Sequence, residues 1–479
     1  MQYKYTVLTN TTIGSFMALL DSNIVLISLP TIIRELPEMN AFEGLWTILG
    51  YQLITATLLL SFGRLADLYG RVRLYKTGFA IFTIGSATCS VALNGPMLVA
   101  SRLLQGTGAA LLFSNSAAIV TDAFPPNERG KALGINQVAG VTGSVSGLVL
   151  GGILTGTLGW RSIFWINIPV GIYATYRAHT HLKELSGRPK GEKLDPIGNS
   201  LFAIGLSVFL LALTLGAISG WNHMDYLALG VGVVMLVSFL VVETRNSSPM
   251  IDMKLFKIRM FSAGILANFL SSLARGTVSL LFVFYFQGAL LLDALTTGIR
   301  MLPFTIAFVS AGPVSGYLSD RYGSRGLASG GLLLSSIAYI WFSMIPADVG
   351  YSTFMIPMIL AGVGGGMFAS PNSSSIMSSV PVTRRGVAAG TSSTVVNTGS
   401  LLSLSMSFVI MASSVPVAVL DDIFSGTPVA SGSLNLLVFM HSWHTIFTIT
   451  AAISLVAVIP SLMRGKRSID ASPSGKVVS

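Results

Sequence analysis

Apolar runs of about 20 residues, the length a helix needs to cross a bilayer, alternate with short polar breaks along the whole chain. Fourteen runs occur: residues 8–32, 44–65, 75–93, 96–121, 131–156, 160–178, 197–218, 225–242, 260–287, 294–318, 326–346, 351–376, 386–412 and 439–462. They take up most of the sequence and leave no room for a large soluble domain. The pattern predicts an all-α integral membrane protein. Two breaks are longer. Residues 179–196 are polar with Gly and Pro and read as a linker. Residues 413–438, rich in Ser, Gly, Pro and Asp, read as a loop on the opposite side. The tail after Arg464 has the composition of a disordered segment. The first run does not read as a cleaved signal peptide, because it lacks a basic leader, carries Asp21 and is too long.

Composition excludes the soluble alternatives. Only 10% of the 479 residues are charged, against about 25% in a soluble domain. A water-soluble enzyme and a disordered chain are both ruled out. The net charge of +10 would hint at nucleic acid in a soluble protein, but here the positive residues sit in the breaks. With the breaks assigned alternately to two sides, the side holding the N-terminus carries 24 of the 29 Lys and Arg. The other side carries Arg34, Arg161 and Arg300, and Arg102 and Arg275 fall inside runs. Loops rich in Lys and Arg stay cytoplasmic. Both termini are therefore expected in the cytoplasm of a multi-pass cell-membrane protein, with the lipid bilayer and not nucleic acid as its surroundings. The single cysteine, Cys89, excludes an intrachain disulfide.

The chain repeats itself. Gly63-Arg-Leu-Ala-Asp67-Leu-Tyr-Gly70 matches Gly316-Tyr-Leu-Ser-Asp320-Arg-Tyr-Gly323 at an offset of 253. Gly106-Thr-Gly108 matches Gly362-Val-Gly364, and Arg129-Gly-x-Ala-x-Gly134 matches Arg385-Gly-x-Ala-x-Gly390, both at 256. Each half then holds six helices in the same orientation, as in transporters whose halves enclose a midplane site. The expected organisation is a six-helix bundle at 1–185, a linker and two additional helices at 186–256, a second bundle at 257–467 and a tail at 468–479.

Four features carry the candidate chemistry. Asp21 is the one carboxylate placed near the middle of a run, where an ionised group costs about 2.5–3.5 kcal/mol on insertion scales. A carboxyl alternating between dry and wet, paired and unpaired surroundings changes its proton affinity. Asp21 thus reads as a proton-coupling site or as a static buried pair. Arg102, with Gln105 and Gly106 on one helix face, is its candidate partner or else reaches for the interface. Arg275 lies at nearly the same depth in the second half, open to Asp21, to an anionic group or to a structural partner. The repeated Gly-x-Leu-x-Asp-x-Tyr-Gly stretch reads as a latch. In it Gly63 and Gly316 suit close packing, Gly70 and Gly323 suit the turns, and Asp67 and Asp320 are placed to accept from helix N-termini. His441 and His444 lack further ligands, so no metal is expected. No Gly-x-x-x-x-Gly-Lys-[Ser/Thr] loop occurs, and no catalytic constellation marks an enzyme.

Gly63 to Arg71 resembles the loop signature between helices 2 and 3 of the major facilitator superfamily. Leu20-Asp21 with Leu29-Pro30 is similar to the helix-1 motif of its fourteen-helix drug:proton antiporter branch. Arg102, Gln105 and Gly106 resemble the helix-4 motif tied to proton transfer, and Tyr285-Phe-Gln287 is similar to helix 9 of that branch. The resemblance covers nearly the whole chain. It implies the major facilitator fold, two six-helix bundles plus two inserted helices, fourteen transmembrane helices in all. It also implies proton-driven export without a cofactor, with Asp21 and Arg102 carrying protonation. Gly63, Asp67, Gly70, Arg71, Asp122, Asp320 and Arg321 would form the cytoplasmic gate. The expected substrate cavity takes in Asn23, Gln52, Gln105, Asn115, Asn136, Gln137, Arg275, Tyr285, Gln287, Asn372 and Asn397.

Two departures qualify the expectation. Leu148 stands where the helix-5 antiporter motif has Pro, which loosens the inference about direction. Helix 10 has no carboxylate in its apolar stretch, which points to neutral or anionic amphiphiles over multivalent cations. The sequence thus predicts a monomeric proton-coupled exporter of small hydrophobic or amphipathic compounds. An importer or uniporter of the same fold and a non-transporting membrane sensor are the rival readings.

Overall fold

Every one of the fourteen apolar runs forms helix in the computed structural model, which describes residues 3–125, 128–185, 195–246, 249–346, 349–381, 384–414, 417–426 and 433–464. The first bundle comprises α1 (Tyr3–Glu35), α2 (Ala41–Tyr69), α3 (Arg71–Ser90), α4 (Gly95–Ala123), α5 (Arg129–Leu158), α6 (Ser162–Trp165) and α7 (Asn167–His181). The inserted pair is α8 (Pro196–Ser219) and α9 (His223–Arg245). The second bundle comprises α10 (Arg259–Arg275), α11 (Val278–Val283), a π-helical turn (Phe284–Ala289), α12 (Ala294–Tyr322), α13 (Ser324–Phe342), α14 (Tyr351–Ser378), α15 (Arg385–Ser414), α16 (Val417–Ser425) and α17 (Ser433–Leu462).

Eleven of the spans are long and apolar enough to cross a membrane by length and composition alone. The other three runs fall on α3, on the broken pair α6–α7 and on α13. Arg71, Arg73 and Lys76 dilute the start of α3, and four serines dilute α13. Helix ends follow from local chemistry. Asn40 and Glu43 form a reciprocal capping box at the start of α2. Asp293 accepts from the Thr296 N–H at the start of α12. Gly70 (φ +108°) and Gly323 (φ +87°) take the left-handed turns that lead into α3 and α13, where a Cβ would be strained.

The repeat is visible as packing. α1 lies on α5 and α2 on α4, just as α10 lies on α15 and α12 on α14. Gly106 sits against the Tyr51 carbonyl and Gly362 against that of Phe304; Gly143 sits against the Phe16 carbonyl and Gly399 against that of Phe269. These partners are related by the same offset of 253. A small residue at each position lets two helix backbones touch.

The start of α1 and the end of α17 lie on one face of the bundle, the termini face. On the opposite, far face the halves close on each other. Gly152 and Leu148 of α5 meet Ala294 and Gly298 of α12, and Gln287 of the π turn donates to the Ile27 carbonyl of α1 (2.8 Å). Toward the termini face, Gly130 and Gly134 of α5 and Gly312 of α12 look onto open space. The halves thus meet between α5 and α12 on the far face, and nearer the termini face α15 meets α2, where Gly390 sits against Leu60. α8 packs on both α2 and α15, and the Trp46 indole N–H donates to Thr214 (3.1 Å). The outer side of α9 exposes Leu227, Val234 and Val237, as a lipid-facing surface does.

Four expectations are revised. The stretch 413–438 is not all loop, because Leu420, Ile423 and Phe424 provide an apolar face at helical spacing and α16 forms. The Phe424 ring centre lies 4.1 Å from that of Phe284, and Asp421 accepts from the Ala41 N–H at the head of α2 (2.8 Å). The run 260–287 is three segments, interrupted where Gly276 lies against Ser400 of α15. The run 160–178 breaks between α6 and α7. Gly63 packs against nothing, since a Cβ at that position would have no neighbour within 4 Å, whereas Gly316 does sit close to Ser370. Residues 186–194 of the linker and the tail after Arg464 lie outside the described residues.

Candidate functional site

Asp21 and Arg102 meet in the interior of the first bundle. Arg102 donates to Asp21 Oδ2 at 2.6 Å. Gln105 donates to Asp21 Oδ1 (2.9 Å) and accepts from Arg102 (2.6 Å). Asn167, at the first position of α7, also donates to Oδ1 (2.7 Å) and reaches Ser86 (3.3 Å). The Arg102 Nε–H donates to the Thr47 carbonyl (3.1 Å), and its guanidinium lies 4.2 Å from the centre of the Tyr51 ring. Five helices, α1, α2, α3, α4 and α7, thus meet in one network. Such a pair is tolerable in a dry interior because its lone pairs and protons are met. Removing one partner of a buried pair typically costs about 3–5 kcal/mol.

The carboxyl has no exposed surface: Asp21 is 0% and Arg102 1% accessible. Proton exchange at Asp21 therefore requires a state other than this one. Arg102 lies seven residues, about 10 Å at 1.5 Å per residue, from the far-face start of α4. The shorter path to the network runs from the face that is closed here.

Among the described residues the repeated stretch forms an ion-pair cluster in one half only. Arg71 bonds Asp67 (2.8 Å) and both oxygens of Asp122 (2.9 Å each), joining α2, α3 and α4. Asp67 does not cap a neighbouring helix as the sequence suggested. That task falls to Glu184, whose carboxylate accepts the N–H groups of Arg71 and Val72 (3.1 and 3.0 Å) at the start of α3. In the second half Asp320 and Arg321 are exposed and make no ion pair among the described residues.

The family model described as Major Facilitator Superfamily matches residues 11–404 and 264–477. The chain belongs to the major facilitator superfamily. It is 34% identical to the riboflavin transporter RibZ of Clostridioides difficile over 81% of this chain and 83% of that one. It is 31% identical to the multidrug resistance protein Stp of Mycobacterium tuberculosis (79% and 71%) and 30% identical to the cephamycin export protein CmcT of Amycolatopsis lactamdurans (82% of each). Among solved structures, a bacterial homologue of the human lysosomal transporter Spinster superposes with a TM-score of 0.68 at 16% identity, covering 96% of this chain and 97% of that one. Major facilitator proteins are multi-pass membrane transporters rather than enzymes, and this chain's small-molecule substrate follows from that membership.

Within this superfamily member the remaining candidates scatter. Gln287 bridges the halves at the far face. Tyr285 stacks on Phe354 with ring centres 4.6 Å apart, inside an aromatic cluster and not at an open cavity wall. Asn136 ties α5 to Ser116 of α4 (2.7 Å), and Asn372 ties α14 to the Gly264 carbonyl (3.3 Å). Asn23 and Asn115 donate to carbonyls four residues back in their own helices. Gln52 and Asn397 are half-buried and Gln137 is exposed. Arg275 does not pair with Asp21, whose oxygens are already taken. His444 bonds the Ile345 carbonyl (2.8 Å).

Asn167 and Glu184 escaped sequence reasoning. Asn167 is an intramembrane amide like several others, and nothing local distinguishes it. Glu184 sits in a polar break where a carboxylate is unremarked.

Proposed function

We propose that this protein is a proton-coupled exporter of small hydrophobic or amphipathic organic compounds, of the fourteen-helix drug:proton antiporter branch. It works by alternating access in the cell membrane, as a monomer with both termini in the cytoplasm, and the proton gradient is its energy source. The observation that carries this reading is the sealed Asp21–Arg102–Gln105–Asn167 network. A charged network with every partner in place favours staying closed. One proton on Asp21 removes the charge that Arg102 pairs with, and the network then has reason to loosen.

With the termini face cytoplasmic, the seam where α5 meets α12 on the far face is the outer gate of this reading. Opening of the far face brings outside water toward Asp21 along the shorter path. Protonation there, rocking of the halves and release of the proton inward complete the cycle, while substrate moves out. The Arg71–Asp67–Asp122 cluster holds the cytoplasmic ends of α2, α3 and α4 together through these steps. Of the polar candidates, Gln137 and Asn397 line the substrate path, while Asn136 and Asn372 tie helices within a bundle and Gln287 bridges the far face. Similarity to a multidrug resistance protein and to a cephamycin export protein supports this direction.

A second reading, a metabolite importer of the same fold, is favoured by two observations: the relative named as a riboflavin transporter and Leu148 in place of Pro on α5. Right-side-out and inverted vesicles distinguish the two. Export predicts substrate accumulation in inverted vesicles with an acid interior, and import predicts accumulation in right-side-out vesicles.

A further inference from the structure

The second bundle has no copy of the Asp21 network. At the repeat offsets, Asp21 corresponds to Ala274, Arg102 to Met358, Gln105 to Ala361, Ser86 to Tyr339 and Cys89 to Phe342. What remains is one cation, Arg275, displaced by a single position from the counterpart of Asp21.

Arg275 ends α10 just before the break at Gly276 and Thr277. It lies nine residues beyond Leu266, which is half exposed on the lipid side. Nine residues at 100° each bring it about half a turn round, facing into the protein. Its guanidinium is 5.1 Å from the centre of the Phe308 ring, and its aliphatic stem runs beside Gly365 of α14, where a side chain would crowd it. Among the described residues Arg275 forms no ion pair, and no hydrogen bond to it occurs. The residue keeps some accessible surface. The nearby hydroxyls of Thr277, on the break itself, and Thr398, two residues from the Ser400 that abuts Gly276, are buried without partners.

Asp21 and Arg102 cancel each other, which leaves Arg275 as an unbalanced positive charge at mid-depth. The carbonyl end of α10 offsets it in part, but its five N–H donors are made for an oxyanion. We propose that Arg275 is the recognition point for a carboxylate, sulfonate or phosphate group on an amphipathic substrate, with the Phe308 ring against the apolar body. This rests on the exporter reading only in taking the space between the halves as the substrate path.

The test is equilibrium binding to purified full-length protein without any gradient, so it stands or falls apart from proton coupling. The probes are 2-naphthoate, biphenyl-4-carboxylate and indole-3-acetate, each with its neutral amide. Wild type should bind at least one acid about tenfold or more tighter than its amide, the scale of one charge-assisted hydrogen bond. Arg275→Met should erase that difference and leave the amide unchanged, and Arg275→Lys should keep part of it. The proposal is overturned if wild type never prefers an acid, or if Arg275→Met weakens acid and amide alike. It is also overturned if chloride or sulfate alone displaces every acid in full, since the ligand is then an inorganic ion. Acid preference together with failure of gradient-driven transport would remove the exporter reading and leave this one intact.

Discussion

Asn167 donates to Asp21 across 2.7 Å, onto the same oxygen that Gln105 holds at 2.9 Å. α7 is thereby tied to the acid on α1 independently of the arginine on α4. An amide that holds the carboxylate from a third helix makes the network a mechanical junction of the bundle as well as an ion pair.

Replacing Asn167 by Ala leaves part of the buried carboxylate unmet, a cost of about 1–3 kcal/mol. The melting temperature should fall, and gradient-driven transport should fall with it, because the carboxylate is no longer held in register with Arg102. Initial uptake rates and thermal unfolding of the same preparation check both.

Far-face closure depends on the absence of a side chain at Gly298, which lies against the Leu148 carbonyl. Gly298→Val should hold α12 off α5 and favour the outward-open state. Cys89 is the only cysteine and is buried, 3.7 Å from Gln105 Oε1, so it is left in place, out of reach of the labels. Spin labels at the exposed Leu158 and Leu291 should report longer distances in the Gly298→Val protein.

Arg71 and its two acids are each about one-quarter exposed, so each bond contributes only about 0.2–1 kcal/mol to stability. Asp122→Asn should therefore leave the melting temperature nearly unchanged and still slow transport several-fold, because the ends of α2, α3 and α4 no longer move as one piece. The charge swap Arg71→Asp with Asp122→Arg should recover part of the rate.

Phe282 is fully buried, and its ring lies 5.1 to 6.5 Å from those of Phe304, Phe342, Phe354, Trp443 and Phe447. This aromatic packing occupies the part of the second bundle where the first holds its polar network. Phe282→Ala should cost about 3–5 kcal/mol, read as a large drop in melting temperature with no change in the pH dependence of whatever transport survives.

The spans were legible because a bilayer demands contiguous apolar residues, and that demand marks every helix of spanning length. The Asp21–Arg102 contact was also legible, since intramembrane charges are few and each needs a partner. Asn167 was not, because an amide costs too little in a membrane helix to stand out. α16 was hidden because nine residues are too short for a span and its neighbours are Ser, Gly and Pro. The break at Gly276 was hidden because glycine is common inside membrane helices and only the approach of Ser400 gives this one its role. Glycine alone could not tell Gly63, which faces open space, from Gly316, which does not.

The most direct measurement compares two modes of transport by Asp21→Asn protein in proteoliposomes, using a compound that stabilises the purified wild type. One mode is exchange of labelled for unlabelled compound with no gradient. The other is accumulation driven by an imposed pH difference. Asp21→Asn should still exchange, yet gain nothing from the gradient. Accumulation at the wild-type level would show that the proton is carried by some other group.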